Sequence, residues 1–487
     1  MLFGSTREGI FHRTAPEAVL SGIAPDGGLY VPNSIPSLYD ASLRDEDYIS
    51  LAARIFEDML PGYTSEECAA FAKSAYGRGF SSPDITPLRK VGGRYVLELF
   101  HGPTCAFKDI ALCALPLMMA AAQGRSAAKQ EVLILTATSG DTGSAALNGF
   151  LHVPGIRIIV FYPEKGVSPV QKAQMVTLEG DNVSVCGIRG DFDDAQSGVK
   201  RIFAGSAPSG VRLSSANSIN IGRLVPQMAY YFSAYYQLLK QGAIKPGAHV
   251  DFSVPTGNFG DILAGYLAKR AGLPIGRLFC ATNANDVLKD FLHTGVYDRR
   301  RTLKKTLSPS MDILVSSNLE RLLFFESGGD APFVQECMRS LERDGRYSVP
   351  DRILEGIRGT FRAGSCGDEE ALAAIRAVWE EHRYLMDPHT AAAWKVAEEI
   401  KAQEPGGCQQ VVLSTASPFK FPRAISDALG LDIADSPAAP HELGEKLLLK
   451  VPPPLEGLDK RAAVHQDVVD PGGMAAYVHR KAAISTW

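Results

Sequence analysis

The sequence predicts an α/β fold in which parallel sheets are flanked by helices, with a helical domain at the amino terminus. Two observations support this prediction. From about residue 93, short runs rich in valine and isoleucine alternate with longer segments of helical period, as in parallel sheets that are covered on both faces. Before that point, apolar residues recur with helical spacing and the alternation is absent.

Residues 1–92 form the predicted amino-terminal domain. A segment rich in glycine and proline, Gly22–Pro32, is followed by helical periodicity over Tyr48–Leu60 and Ser65–Tyr76. Two prolines shortly before residue 90 then interrupt this periodicity, because proline is not tolerated inside a helix.

Residues 93–430 form the predicted catalytic domain, with two α/β subdomains, and residues 431–487 form a carboxy-terminal tail. The predicted strands are Tyr95–Leu99, Val132–Thr136, Arg157–Tyr162, Val183–Gly187, Val250–Val254, Arg277–Ala281 and Gln410–Ser414. The predicted helices are Pro169–Leu178, Phe192–Phe203, Arg223–Lys240, Ile262–Ala271 and Ala391–Ile400. The tail contains Pro452–Pro454 and is predicted to be irregular and to lie on the main body.

The composition excludes several classes of function. The 487 residues are 45% apolar and 21% charged, which is typical of a globular protein with more than one domain. A net charge of −4, with acids and bases interspersed, gives no footprint for nucleic acid or an anionic membrane. Arg7 and Arg13 stand where a secretory signal needs an apolar run, and no segment approaches the ~18 apolar residues of a membrane helix. We therefore expect a cytoplasmic protein.

Cysteine and histidine patterns indicate no metal site. The eight cysteines are scattered without a C-x-x-C pair, so we expect reduced thiols. His382 and His389 are seven residues apart and lack the H-E-x-x-H pattern of a zinc helix.

Ligands in such sheets collect where strands lead through Gly-rich turns into helices, and the first such turn contains Lys108. Its apolar neighbours would desolvate the amine, which lowers the pKa of a lysine and makes it a nucleophile able to form Schiff bases. A lone lysine is more often a surface charge. The residues alone leave both roles open.

The second turn, ATSGDTGS at 137–144, offers small residues and hydroxyl donors that suit a ligand, but also suits an ordinary capped turn. The third, Gly257–Gly260, follows a strand and opens a helix, so its amides could hold a phosphate. No Walker loop or dinucleotide fingerprint accompanies it. A further polar cluster, Ser215–Arg223, places an arginine at a helix start, which is unfavourable unless an anion is bound beside it; surface capping is the alternative.

These blocks, in this order, resemble the threonine synthase family in its long-chain bacterial and fungal branch. The resemblance covers nearly the whole chain, and its main motifs are HGPTCAFKD at 101–109, TATSGDTG at 136–143, NSIN at 217–220, GNFGD at 257–261, SMDI at 310–313 and STASPFKF at 414–421. It implies the tryptophan-synthase-β-like fold, which is fold type II of the pyridoxal-phosphate (PLP) enzymes.

The resemblance also implies roles for individual residues. Lys108 would carry PLP as a Schiff base and move protons once substrate displaces it, and Phe107 would pack near the ring. The PLP phosphate would be held by the backbone amides of Gly257, Asn258, Phe259, Gly260 and Asp261. Thr415 would face the pyridine nitrogen, leaving it largely unprotonated; by position alone it is equally a β-branched residue that ends a strand.

The remaining implied roles concern the substrate. Ser139, Asp141 and Thr142 match the turn beside the 3′-oxygen of the cofactor and the substrate carboxylate. Many relatives have asparagine at the position of Asp141, which leaves a hydrogen bond from it to the 3′-oxygen open. Asn217, Ser218 and Arg223 match the site for the substrate phosphate, which arginine can bind through two donors.

The implied reaction converts O-phospho-L-homoserine and water to L-threonine and phosphate, in a monomer or homodimer without a metal. Three alternatives stay open: a catabolic phospho-lyase related to threonine synthase, a non-catalytic binding protein with the PLP fold, and a dehydratase that needs no substrate phosphate. The intact GNFG sequence at 257–260 favours the synthase over the phospho-lyase, in which this loop is often changed.

Overall fold

A computed structural model describes residues 1–126, 130–205, 208, 210–404 and 407–483. The amino-terminal part contains two amphipathic helices, as predicted, and also a three-stranded antiparallel sheet that helical periodicity did not predict. Its elements are β1 (Phe3–Ser5), β2 (Phe11–Arg13), α1 (Ala15–Ser21), β3 (Tyr30–Pro32), α2 (Tyr48–Met59) and α3 (Ser65–Tyr76).

The next part of the chain begins with two strands of a large six-stranded sheet, β4 and β5. It then forms four of the five parallel strands of a smaller sheet, β6 to β9. This part of the chain contains β4 (Leu88–Val91), β5 (Arg94–Glu98), α4 (Lys108–Leu112), α5 (Leu115–Arg125), β6 (Glu131–Ala137), α6 (Asp141–Phe150), β7 (Ile156–Pro163), α7 (Pro169–Val176), β8 (Val183–Ile188), α8 (Phe192–Ala204), β9 (Val211–Ser214) and α9 (Ile221–Lys240). The central strand β7 is buried along almost its whole length, as expected for a strand that is covered on both faces.

The second half of the chain supplies the remaining four strands of the six-stranded sheet, β10, β11, β14 and β15. The α-helices and strands of this half of the chain are β10 (Val250–Pro255), α10 (Gly260–Arg270), β11 (Ile275–Thr282), α11 (Val287–Thr294), β12 (Val296–Asp298), α12 (Leu319–Glu326), α13 (Ala331–Asp344), β13 (Arg346–Ser348), α14 (Asp351–Thr360), β14 (Phe361–Ser365), α15 (Asp368–His382), α16 (Pro388–Gln403), β15 (Gln409–Ser414), α17 (Pro422–Leu429), α18 (Ala439–Leu447), β16 (Asp467–Val469) and α19 (Met474–Ala483).

The order of the large sheet is β14-β11-β10-β15-β5-β4, and every neighbouring pair is parallel except β4 and β5. The order of the small sheet is β16-β8-β7-β6-β9, and all its pairs are parallel. The helix α9 is buried along almost its whole length and packs on α2, α4 and α10. It therefore joins the amino-terminal part to the catalytic part.

The predicted strands are all present within two residues of their expected bounds, and the predicted helices within three. The prediction of an irregular tail was wrong in part. β16 extends the edge of the small sheet beside β8, and α19 buries Met474, Tyr477 and Val478 against that sheet and α8. The last predicted tail residues, 484–487, lie outside the described residues. No helix in the described part of the chain is long and apolar enough to cross a membrane.

Candidate active site

One cavity of about 1640 Å³ opens between the two sheets at the carboxyl ends of their strands. Parallel strands direct the turns that follow them to one edge, so turns far apart in sequence meet there. Every residue that the sequence predicted for the site lines this cavity: Phe107, Lys108, Ser139, Asp141, Thr142, Asn217, Ser218, Arg223, Gly257, Asn258, Phe259, Gly260, Asp261 and Thr415.

Lys108 is the first residue of α4 and is buried, with 8% of its surface exposed. Its Nζ lies 3.3 Å from Ser310 Oγ and 3.5 Å from Asp141 Oδ2, both long for hydrogen bonds. Burial lowers the pKa of Lys108, and the neighbouring cations Lys420 and Arg223 lower it further against the opposing effect of Asp141. The environment therefore makes deprotonation of Lys108 to the nucleophilic amine easier than for an exposed lysine.

Asp141 begins α6 at the end of the second turn. Its Oδ1 lies 2.8 Å from Lys420 Nζ and accepts a hydrogen bond of 2.7 Å from Gln171 Nε2. Although burial alone would raise the pKa of Asp141, the ammonium of Lys420, and then that of Lys108, holds it far below its usual range. Asp141 is thus a carboxylate rather than a neutral acid. Neither Lys420 nor Gln171 was among the predicted site residues, although Lys420 lies in the motif at 414–421.

The turn that holds Asp141 is shaped by Gly140. Its φ of 143° is accessible to glycine and strained for other residues, and a Cβ there would lie 2.6 Å from the Gln171 side chain. Thr138 Oγ1 accepts the amides of Gly140 and Gly143 at 2.9 and 2.8 Å, which closes the turn. The hydroxyls of Ser139 and Thr142 line the cavity from this turn.

The third turn, Gly257–Gly260, joins β10 to α10, and its backbone amides are suited to bind an anion, so we call this turn the cradle. Phe259 has a left-handed φ of 61°, which turns successive amides towards one side. None of the amides of Gly257, Asn258 and Phe259 donates a hydrogen bond within the described chain. A Cβ on Gly257 would lie 2.4 Å from the carbonyl oxygen of Ser310, so only glycine allows this close approach.

Asp261 follows the cradle in the first turn of α10, and its side chain points to α9. Its Oδ1 accepts hydrogen bonds from Tyr230 at 2.5 Å and Tyr231 at 2.9 Å. Burial raises the pKa of Asp261 to about 6, because these two hydrogen bonds compensate only part of the desolvation. The sequence predicted a role only for the backbone amide of Asp261. Its side chain in addition links α10, the helix that follows the cradle, to α9.

Arg223 lies in the first turn of α9 and is 3% exposed. Its Nη1 donates to the carbonyl of Ala216 at 2.6 Å, and its buried Nε has no hydrogen-bond partner in the described chain. Burial lowers the pKa of Arg223 to about 10, and none of the described carboxylates forms an ion pair with it. A buried cation with a free donor beside a cavity is suited to bind an anion.

A buried arginine that the sequence analysis missed fixes the loop that carries Asn217 and Ser218. Arg321 donates to the carbonyls of Tyr30 and Ile219 at 3.0 and 2.6 Å, and to Asn318 Oδ1. Asn318 Nδ2 in turn donates to the carbonyls of Ser218 and Asn258, at 3.1 Å each. The two residues tie the polar loop, the cradle and the amino-terminal part together.

Thr415 follows β15 at the opposite wall, 5% exposed, and its carbonyl accepts the amide of Phe107 at 2.8 Å. His389 also lines the cavity, although the sequence analysis considered it only as a metal ligand. Its Nδ1 is 2.7 Å from Asp387 Oδ1, and its Nε2 accepts the amide of Ser310 at 3.3 Å. This pair therefore positions the segment whose hydroxyl lies next to Lys108.

Comparisons with known proteins agree with this architecture. Residues 83–416 match the family described as pyridoxal-phosphate dependent enzyme, residues 2–76 that described as threonine synthase N terminus, and residues 390–469 that described as threonine synthase, C-terminal. The chain is 41% identical to threonine synthase of Pseudomonas aeruginosa over 435 residues, 88% of this chain and 90% of that protein.

The chain is also similar to a solved structure and to a longer relative. The crystal structure of PLP-bound threonine synthase from Brucella melitensis superposes with a TM-score of 0.88 at 38% identity and covers 99% of this chain and 100% of that one. Human threonine synthase-like 1 is 41% identical over 433 residues, 85% of this chain, but the chain spans only 58% of the length of that relative.

Proposed function

The chain belongs to the threonine synthase family of pyridoxal-phosphate-dependent enzymes, and on that premise we propose that it converts O-phospho-L-homoserine and water to L-threonine and phosphate. One observation supports the proposal above the others. The cavity is lined by two separate sets of donors that are suited to a phosphate, the amides at Gly257–Gly260 and the buried guanidinium of Arg223, and by the buried amine of Lys108. An enzyme that uses PLP on a phosphorylated substrate needs both sets.

The residues present fit PLP. The amides of the cradle have no acceptor of their own among the described residues, and a Cβ at Gly257 would fill the space against Ser310. Lys108, Phe107, Thr415 and the segment Gly257–Asp261 would hold the cofactor. Bound PLP supplies an electron sink for the charge that develops on the carbons next to the substrate amine.

The side chains of the cavity supply binding and proton transfer. Arg223, with Asn217 and Ser218, would bind the phosphate on Cγ of the substrate and neutralise its charge as it leaves, an effect worth several kcal/mol, roughly 3–4 for one well-aimed donor. Ser139 and Thr142 would bind the substrate carboxylate. The Lys108 amine, whose pKa is lowered by its surroundings, can take the proton from Cα. Cβ must also lose a proton as the phosphate leaves Cγ, after which Cγ gains a proton, the hydroxyl of a water molecule is added at Cβ and its remaining proton is released. Lys108 can then return a proton to Cα.

Product analysis tests the proposal. The purified chain is incubated with PLP and O-phospho-L-homoserine, and threonine, phosphate, 2-ketobutyrate and ammonia are measured. We expect threonine and phosphate in equal amounts.

The catabolic phospho-lyase is the second candidate, because the chain is as identical to human threonine synthase-like 1, a relative that is not named a synthase, as to the Pseudomonas aeruginosa synthase, at 41% each. In that case 2-ketobutyrate and ammonia would replace threonine. Unchanged turnover of substrates without a phosphate would instead favour the dehydratase.

Three further points are part of the proposal. The domain borders lie near residues 92 and 430, the protein acts in the cytoplasm, and it is a monomer or homodimer. Limited proteolysis, cell fractionation and light scattering would test them in turn.

A further inference from the structure

Lys420 is a fully buried lysine in a short 3-10 helix, Pro418–Lys420, after β15, and it contacts Asp141, which lines the cavity. Its Nζ lies 2.8 Å from Asp141 Oδ1 and donates to the carbonyl of Thr104 at 2.8 Å. Burying an ammonium costs several kcal/mol, roughly the cost that a well-made ion pair offsets. Its pairing with a carboxylate next to Lys108 therefore calls for an explanation.

Asp141 uses its two oxygens differently. Oδ1 is saturated by Lys420 and by Gln171 Nε2, at 2.8 and 2.7 Å. Oδ2 is left with long contacts of 3.5 Å to Lys108 Nζ and 3.5 Å to Ser310 Oγ. The short ion pair of Asp141 is thus made with Lys420, and Lys108 is the weaker partner.

We propose that Lys420 is a positioning residue: it neutralises and orients Asp141, so that this carboxylate does not hold Lys108 as an ammonium. Without Lys420, Lys108 would be the main counterion of a buried carboxylate, and such a pair stabilises the charged forms of both groups. An ammonium can neither attack a carbonyl nor accept a proton. The inference depends on the proposed function only in that Lys108 is the reactive lysine.

Among the other charged groups that face Lys108, Arg223 acts in the same sense as Lys420, and the carboxylates of Asp141 and Asp261 act in the opposite sense. Arg223 also disfavours the ammonium, and Asp141 is the main group that favours it. Asp261 contributes a weaker attraction, since its carboxyl is engaged by Tyr230 and Tyr231. His389 accepts the amide of Ser310 through Nε2, which requires an unprotonated nitrogen there.

The test measures the titration of Lys108 directly. The full-length chain, before PLP is added, is acetylated with a pulse of acetic anhydride at a series of pH values, and the modification of Lys108 is read by peptide mass spectrometry. Lys420→Met should raise the midpoint of this titration by about one pH unit or more, as expected for the loss of one nearby charge in a buried site. Lys420→Arg, which keeps the charge, should stay close to the parent.

The double variant Asp141→Asn with Lys420→Met separates this role from a merely structural one. It removes both charges of the pair, so its midpoint should return towards that of the parent. Lys446→Met, at an exposed lysine of α18 that contacts the carbonyl of Asp432, is the matched control and should show no change. Thermal unfolding of each variant shows whether it is folded.

An unchanged or lowered midpoint in folded Lys420→Met would overturn the inference, as would equal shifts in Lys420→Met and Lys420→Arg. If Lys420→Met does not fold, the double variant provides the test. A midpoint of Lys108 acetylation one pH unit or more above that of the parent, in a variant without the Asp141 carboxylate, would overturn the inference. The midpoint is independent of turnover. A chain that makes no threonine but shows the expected shifts would refute the proposed function and leave the inference standing.

Discussion

The two regions of the cavity that are suited to bind an anion are built in opposite ways. The cradle at Gly257–Gly260 consists of backbone amides in a turn between a strand and a helix, and its shape follows from local glycines and one left-handed residue. The Arg223 region consists of a side chain that is buried by contacts distant in sequence. A backbone cradle keeps its donors whatever the pH, whereas a buried cation depends on its surroundings for both charge and direction.

Lys108 lines the same cavity as the two regions, and its removal should have the largest effect. We expect Lys108→Ala to lower kcat by roughly 10⁴-fold or more, the upper end of what a positioned acid or base contributes, because Lys108 is buried whereas Lys200, the other described lysine that lines the cavity, is exposed. The visible band of lysine-bound PLP should disappear, while PLP still binds through the cradle. Substantial remaining turnover would place the reactive lysine elsewhere.

Substitution of Arg223 alone distinguishes the role of the Arg223 region from that of the cradle. Arg223→Ala should lower kcat/KM for O-phospho-L-homoserine by about 10²–10³-fold, as for the loss of one pre-aimed donor. PLP affinity, measured by fluorescence titration, should stay unchanged because the cradle is intact. Arg223→Lys should recover part of the loss, since it keeps the charge without the planar fork. Equal losses in turnover and PLP affinity would contradict the assignment of Arg223 to the substrate and of the cradle to PLP.

Asp261 connects the regions, because it follows the cradle and is bound by tyrosines of the helix that carries Arg223. Its pKa of about 6 lies above the unfolded value of 3.8. The protonated form therefore stabilises the fold below about pH 4, and this stabilisation is lost as the pH rises through 6, by up to about 3 kcal/mol. Urea unfolding at pH 4–7 should show this fall, and Asp261→Asn should reduce it. A fall of equal size in the variant would assign it to other groups.

The smallest effect is expected from a change in the cradle itself. Gly257→Ala places a methyl group 2.4 Å from the Ser310 carbonyl and must displace the turn. We expect a loss of PLP affinity of about 10–100-fold, equivalent to about 1–3 kcal/mol. Gly93→Ala is the matched control, because a Cβ there meets no heavy atom within 4 Å in the described chain. If the two variants bind PLP equally, the turn is not the phosphate site.

The sequence predicted the locally encoded parts of this site. Gly257–Gly260 and the turn around Gly140 follow strands with a clear apolar pattern, and glycines in such turns indicate close backbone approach. The α/β fold and the family resemblance, which rested on motif order, are confirmed by the structure and the comparisons. The roles of the individual residues stay proposals, although all of them line one cavity.

What the sequence missed is non-local. Gln171 and His389 belong to no motif in the sequence, and the motif that contains Lys420 does not show which carboxylate Lys420 contacts. The role of each depends on a partner that lies many residues away. β16 and α19 are likewise short or weakly apolar. β16 forms because it pairs with β8 at the edge of the small sheet, and α19 forms because it packs against that sheet and α8.

The sequence alone therefore determined which turns can hold a ligand, since the conformational freedom of glycine and the alternation of strand and helix act over a few residues. Only the tertiary structure decided which charges neighbour Lys108, because the electrostatic free energy of a buried group depends on distances that arise when separate strands end at one edge.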